Sequence, residues 1–556
     1  MSRTLQRIPG LVAGLAALSW GTTYNIGTTV VDSWSDDGKC SLLEAMSASN
    51  WMASVNTNDC AAGTGNDIIR LQGGTFGAPV NYVSTITLTF FNRVKIIGGG
   101  IDRTIITANF TNSSLGRLIS FEDGTPDGLE SGIRGVTLQR QSSASPVSGV
   151  YSGMGAYVRL VQTKIQKFGL SGVVGEGAYI IIDSSAIQDN TSPGVGGGVC
   201  IFWGADGHPG GLVMHSSSVT GNAGSIGGGI YYGGDDNSNL YNTTIANNSA
   251  YSGSGGGIFM ETHNVGYFDI HGCTITGNSA SVSGGGVSEN AASTPPHLYG
   301  SLVAGNTAPS NKDVEGWYGN VNTLFGDNTG NTAMPPLGPG SGVNAAPGIG
   351  SLRETGWPLN IKIAPLTAAT AHAVDATTAA ESSMTGKDGR GQERLVDGNE
   401  NGTKTNDFGA FEYDPLFKET DSLGLGPKSG EPHKKYTDPE CSGNGCTSFE
   451  GSSSSANITY YARVNRTGTY NLKIRMKKNN NRGIFQLQIG PQGGGLANYG
   501  AQQDLYSATP SFVEIDFGNV TFGTVGVKAF KFQLTGKNAA SSNYFLYFDY
   551  IKLTGP

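Results

Sequence analysis

Charge is scarce in this chain. Only 14% of its residues are Asp, Glu, Lys or Arg, and no block of Lys or Arg marks a nucleic-acid surface. The formal net charge of −8 is spread thinly, so the overall field does not steer the protein toward polyanions. Nucleic acid is therefore not an expected partner. Long apolar runs are missing too. Beyond the N-terminus none reaches eighteen residues, so no membrane-spanning helix and no membrane insertion are expected. Glycine follows no three-residue period and proline is modest, which excludes collagen. No nucleophile elbow, phosphate-binding loop, HExxH or CxxC is present, which removes the motif-based hydrolase, nucleotide, zinc and redox readings.

What the chain does have is glycine. Its 86 glycines in 556 residues are about twice the average share of roughly 7%. Hydrophobic residues still reach 37%, more than a disordered chain of this kind carries. Asn, Ser and Thr supply much of the polarity, which suits a turn-rich all-β protein, and the length suits two or three domains. At the N-terminus, Arg3 and Arg7 precede an apolar stretch from Ile8 to Leu18 and the small residues "ALS" at 17–19. This reads as a signal peptide over 1–19 and a secreted or cell-surface protein, with an apolar first strand or cap as the alternative. Six cysteines fit export. Cys40 with Cys60 and Cys441 with Cys446 are the expected pairs. Cys200 and Cys273 fall at different repeat positions and are expected to be buried and free.

An internal repeat organises the middle of the chain. The motif GGG followed by Val or Ile ends at Val199, Ile230, Ile258 and Val287, with gaps of 31, 28 and 29. A second marker places Asn three residues after an apolar residue. It reads Ile187/Asn190, Val219/Asn222, Ile245/Asn248, Ile275/Asn278 and Val303/Asn306, with gaps of 32, 26, 30 and 28. Two markers with one period predict coils stacked about 4.8 Å apart. The asparagines should then bond along the stack as a ladder, as side-chain amides do in cross-β stacks. Earlier segments such as "RVKIIGGGIDRTIIT" (93–107) alternate similarly, so the coils are expected over 65–415, with 308–350 as a loop excursion. A helical solenoid is disfavoured, because Gly, Asn and Thr are poor helix formers.

"DDGKCSLLEAMSASN" (36–50) resembles the N-terminal signature of exported CSLREA-type proteins, with Leu43 where that family has Arg. "NDIIRL" (66–71) is similar to the strand that follows the signature, and "KDGRGQERLVDGNENGTKTNDFGAFEY" (387–413) to the end of the same domain. The resemblance implies export and a right-handed parallel β-helix, a pectate-lyase-like solenoid, with 20–64 as its N-terminal cap. It implies no particular activity.

After Pro415 the composition changes. The polar stretch 416–440 reads as a linker. Beyond it, "TGTYNLKIRMK", "GIFQLQIG", "SFVEIDFGNVTF", "VKAFKFQLTGK" and "NYFLYFDYIKL" alternate with period two, predicting a β-sandwich over 441–556. The pattern resembles galactose-binding-like carbohydrate-binding modules. That resemblance implies a structural calcium at Asp549, near the end of the last strand; the plain alternative is a solvated or strand-capping acid. The module has no Trp, so a sugar platform would fall to tyrosines: Tyr460, Tyr461, Tyr499, Tyr506 or Tyr544. Packing is the ordinary role of such tyrosines.

Within the repeat, the residues after GGG[IV] vary most. Trp203, His208 and Tyr232, with Asp206, offer aromatic and polar contacts to a linear glycan. Asp235, Asp236, Glu261 and His263 are the candidate catalytic groups. Carboxylates one coil apart would approach the ~5 Å separation of a retaining glycosidase, and two coils apart the inverting range. A lyase would need a base and a cation, for which Lys164, Lys167 and Arg140 are available. Against this, "GGDDNSN" is an ordinary turn sequence, and "DIHGC" (269–273) would simply set Asp269 and His271 on one exposed face. Two functions compete. One is an exported polysaccharide hydrolase or lyase tethered by its C-terminal module. The other is a non-catalytic surface or matrix adhesin that binds a polysaccharide or cell-surface glycan.

Overall fold

A computed structural model describes residues 21–26, 38–53, 59–74, 79–111, 116–122, 130–261 (bar 154 and 206), 266–290, 296–327 (bar 317), scattered positions from 337 to 404, and 405–554 with short interruptions. The expected signal peptide, 1–19, lies outside the described residues.

The repeat builds a solenoid. One coil runs through Val199–Phe202, turns into Gly211–His215, then into Ser218–Thr220. Each strand pairs in parallel with its counterpart one coil on. Three sheets result, here sheets 1, 2 and 3 in the order a coil visits them. They hold nine, eleven and eleven strands among the described residues. Sheet 2 begins with Thr23–Ile26 against Asn66–Leu71, so part of the expected cap already belongs to the solenoid. Before the second of these strands lies the helix Leu42–Trp51, opened by a capping box between Ser41 and Glu44. This arrangement satisfies two of the donors a helix start leaves unpaired. The Cys40–Cys60 disulfide brackets the helix.

Alternation decides the core. In Gly211–His215, Leu212 and Met214 point in and are fully buried, so Val213 and His215 face out. The same inward rows of Ile, Leu and Val form one continuous core from Tyr24 to Phe325. The asparagine ladder forms as expected. Asn190, Asn222, Asn248 and Asn278 each donate an amide hydrogen to the Oδ1 of the next, at 2.9–3.0 Å. Asn306 closes the series on Asp313 Oδ1 at 2.8 Å. The GGG motif has two roles. Gly227 takes φ +62°, and a Cβ on Gly229 would lie 2.5 Å from the Gly257 carbonyl oxygen, so the coils approach backbone to backbone only without side chains.

Two boundaries differ from expectation. The stretch 308–350 contains short strands, including Val314–Glu315, Gly319–Val321 and Leu324–Phe325, that extend all three sheets. With only two or three residues each, they leave no alternation to read. The stretch read as a linker supplies the strands Gly424–Lys428 and His433–Thr437, which pair with Asn457–Val464 and Gly445–Phe449 in the two sandwich sheets. Those sheets are antiparallel and enclose a second core, with Tyr460, Phe485, Phe530 and Phe548 fully buried. The five alternating segments form strands, and Cys441–Cys446 forms the second disulfide. Cys200 and Cys273 are buried and free. No helix among the described residues is long and apolar enough to cross a membrane.

Candidate functional site

The residues singled out after GGG[IV] occupy the corner where sheet 1 turns into sheet 2, and the structure separates them. Tyr232 is inward by strand alternation and 6% exposed. Its ring packs on Phe268 at 4.8 Å, and burial pushes its hydroxyl well above the usual phenol range. It is a core residue, which corrects its expected place at a sugar surface. Glu261 points out from sheet 1 and accepts a hydrogen bond from the Tyr231 hydroxyl. Asp236 turns the other way, toward sheet 2. Its Cβ lies 3.2 Å from where a Gly211 Cβ would stand, beside Tyr179, whose hydroxyl burial and then the Asp236 charge push up to about 12. One Asp235 carboxylate oxygen is buried without a hydrogen-bond partner. Trp203 is exposed, and the partly buried His208 closes the same loop through its carbonyl and Gly204 N–H. Asp206 and His263 lie outside the described residues. Glu261 therefore has Tyr231 as its neighbour and Asp236 has Tyr179. Lys164 and Lys167 lie on or beside sheet 3, and Arg140 bonds the carbonyls of Ala144 and Lys167 there.

The outer face of sheet 2 carries what the corner lacks. Two outward rows run along it. In one, register sets His215, Tyr241, His271 and Tyr299 in line. Their rings stack at 4.8 Å between centroids and within 13° of parallel. The faces cover each other: His215, Tyr241 and Tyr299 are partly buried, and His271 is 9% exposed. Burial pushes His271 down to about 4 and also lowers His215, so both rings are neutral at neutral pH. In the neighbouring row, Asp269 precedes His297. The Asp269 carboxylate lies 3.1 Å from His297 Nδ1, and that bond holds the imidazole above its usual range. The ring lies over Gly319, where a Cβ would collide with it. An oriented imidazole, 38% exposed, with a carboxylate on Nδ1 and Tyr299 alongside at 5.7 Å, is the arrangement of a general base and its orienting acid.

Sequence reasoning named Asp269 and His271 as mere decoration and missed His297. A signal existed. His215, Tyr241, His271 and Tyr299 each stand four residues before the apolar marker at 219, 245, 275 and 303.

In the sandwich, Tyr460 is fully buried, and its hydroxyl lies 2.6 Å from Thr447 Oγ1. This corrects its expected role as a platform, since a central strand turns it inward. Tyr461 packs half-buried against Gly426, and Tyr506 is half-buried on the Asp504 turn. Tyr499 lines a cleft of about 310 Å³ with Phe522 and Lys528. Cys441, Cys446 and Asp549 bring potential ligand atoms within 4.8 Å of one another, all buried. The donor set fits calcium poorly. The two sulfurs are joined in a disulfide, calcium takes oxygen ligands, and Asp549 is occupied by Arg475 and by the Ser442 N–H.

The model of the right-handed β-helix region matches residues 130–307. No curated protein matches the chain. Among solved structures, the chain is similar to a xanthan lyase from Paenibacillus, with 27% identity over 28% of this chain and 15% of that one and a TM-score of 0.24. It is also similar to an exo-β-1,3-galactanase from Phanerochaete chrysosporium, at 15% identity over 25% of this chain and 28% of that one, TM-score 0.18. A third is the carbohydrate-binding module CBM36 in complex with calcium and xylotriose, at 18% identity over 25% of this chain and 98% of that one, TM-score 0.18. The chain thus spans only a small part of the two enzymes.

Proposed function

We propose that this protein is an exported, glycan-cleaving β-helix whose reaction runs on the outer face of sheet 2, with His297 as general base. The observation that carries the reading is the Asp269–His297 pair, set beside the edge of an ordered His/Tyr stack. Asp269 fixes the tautomer with Nδ1–H toward the carboxylate, leaving Nε2 to accept a proton, and its charge stabilises the imidazolium that forms. The row repeats at the coil spacing, so an extended polymer can lie along it, with imidazole and phenol rings alternating beneath successive sugars. The proton comes either from a water that attacks the glycosidic carbon while the bond to the leaving oxygen breaks and that oxygen takes a proton from solvent, or from the sugar carbon α to a carboxylate, with the glycosidic oxygen expelled by β-elimination to leave a carbon–carbon double bond and protonated by solvent. Because Asp236 and Glu261 sit on opposite sides of a corner, a two-carboxylate hydrolysis at that pair gains no support. Export is supported by the N-terminal pattern and by two disulfides, which persist in oxidising compartments. The sandwich, similar in pattern to carbohydrate-binding modules, raises the local concentration of the same glycan by tethering.

The test is a panel of polysaccharides assayed for new reducing ends and for the ultraviolet absorbance of unsaturated products. Cleavage of at least one polymer, lost in His297→Gln, supports the reading. Retained binding with no cleavage across the panel favours the adhesin reading instead.

A further inference from the structure

Toward the N-terminal end of the same face lies a cleft of about 430 Å³. Gly132 is part of its lining, and a Cβ there would stand 2.3 Å from the Arg159 carbonyl oxygen. Lys95, Gly132 and Arg159 occupy consecutive positions of the outward row that later carries Asp269 and His297. With no side chain at Gly132, Lys95 and Arg159 stand two strand spacings apart, about 9.6 Å, over bare backbone. Glu130, Arg134 and Asp183 complete the rim. Arg159 is forked between Glu130 at 3.4 Å and Asp183 at 3.3 Å, and the Glu130 charge also acts on Lys95, so the two acids are shared among the cations of the wall. The lining holds three cations against two acids and carries a net positive charge in a chain whose overall charge is −8.

We infer that this cleft is a distal subsite for an anionic substituent, a carboxylate or a sulfate half-ester, on the polymer that occupies the His/Tyr track. Six strand spacings separate Gly132 from His297 along the row, about 29 Å. A chain must therefore be several sugars long to occupy both. Short oligosaccharides reach His297 without reaching the cleft. Lys95 and Arg134 supply the charge-assisted hydrogen bonds, and Arg159 keeps its position because its two carboxylates hold it. The inference rests on the proposed function only for the path of the polymer; the cleft and its charge do not depend on His297 being a base.

The experiment compares the full chain with a Lys95→Gln/Arg134→Gln variant of equal melting temperature. Affinities are measured by titration with a polyuronate, a sulfated galactan and a neutral β-glucan, each at low and moderate salt. Where the double variant fails to fold, Arg134→Gln alone is used, since Arg134 is exposed. The expected result is a loss of about tenfold for at least one anionic polymer, shrinking with salt, with the neutral polymer unchanged. The polymer that loses affinity identifies the substituent. Equal losses on all three polymers, or no loss on any, overturn the inference. His297→Gln separates the two claims: if it stays active while the cleft variant loses anion binding, the reaction reading falls and the subsite stands.

Discussion

Replacing Asn248 with Ala tests the physical basis of the solenoid most sharply. Asn248 is 1% exposed and sits in the middle of the ladder. Its amide donates to the Val219 carbonyl at 2.9 Å and to Asn278 Oδ1 at 2.9 Å. Its Oδ1 accepts from the Asn222 backbone N–H at 2.9 Å and from the Asn222 amide at 3.0 Å. Truncation removes four hydrogen bonds, and the groups left behind are buried. Asn278 Oδ1 keeps the Asn248 backbone N–H, but the Asn222 N–H, one Asn222 amide hydrogen and the Val219 carbonyl lose their partners. At roughly 1–3 kcal/mol for each buried group left unsatisfied, the cost is about 4 kcal/mol, with water entering the gap as a partial offset. That is a large share of a typical total stability of about 5–15 kcal/mol. Urea denaturation gives the total, and amide hydrogen exchange gives the place. Because each coil contacts chiefly its neighbours, protection should fall first in the strands around Val219 and Ile275. A loss under about 1 kcal/mol, or exchange that rises uniformly, would refute the reasoning, because a buried ladder cannot lose its middle rung so cheaply.

Other consequences follow from the same geometry. Gly229→Ala places a Cβ 2.5 Å from the Gly257 carbonyl oxygen and should lower stability by about 3 kcal/mol. Gly523→Ala, with nothing within 4 Å, should leave the melting temperature unchanged. His271 has a folded value of about 4, below the unfolded imidazole value of about 6.5. The unfolded chain therefore takes up the proton first as the pH falls. Stability is full above about pH 6.5 and declines toward pH 4 by roughly 3 kcal/mol from this group, and His271→Phe should flatten that slope in denaturation measured across pH. The raised value of His297 puts the acid limb of activity above the ordinary imidazole range. Asp269→Asn, which removes the charge that favours the imidazolium, should move that limb to lower pH and reduce kcat, both read from a pH–rate profile.

The fold was legible because its markers repeat. Ile187/Asn190 and its four successors mark both the coil length and the ladder, since a side chain that bonds its own copy one coil away must recur at the coil period. Both disulfides joined cysteines close in sequence, which left few competing partners. The site was harder to read for a reason of register. Asp269 and His297 belong to different coils, 28 residues apart, and meet only once the strands are aligned. Tyr232 and Glu261 look alike on paper as residues just after GGG[IV]. One falls two and the other three positions past the marker, so alternation sends the first inward and the second outward. The variable insert "YYGGDDNS" drew attention by differing from its neighbours, although His215, Tyr241, His271 and Tyr299 kept the period in plain view. In the C-terminal module, Asp549 was read from a strand pattern that says nothing of Arg475 across the sheet.

One comparison tests the central claim directly. Wild type, His297→Gln and the double variant Asp236→Ala/Glu261→Ala are assayed side by side on the polysaccharide that the wild type cleaves best. The account predicts a rate loss of about a hundredfold or more for His297→Gln, the typical contribution of a general base, with polymer binding intact and near-normal activity in the double variant. Activity that survives in His297→Gln but vanishes in Asp236→Ala/Glu261→Ala would place the chemistry at the corner between sheets 1 and 2 and contradict it.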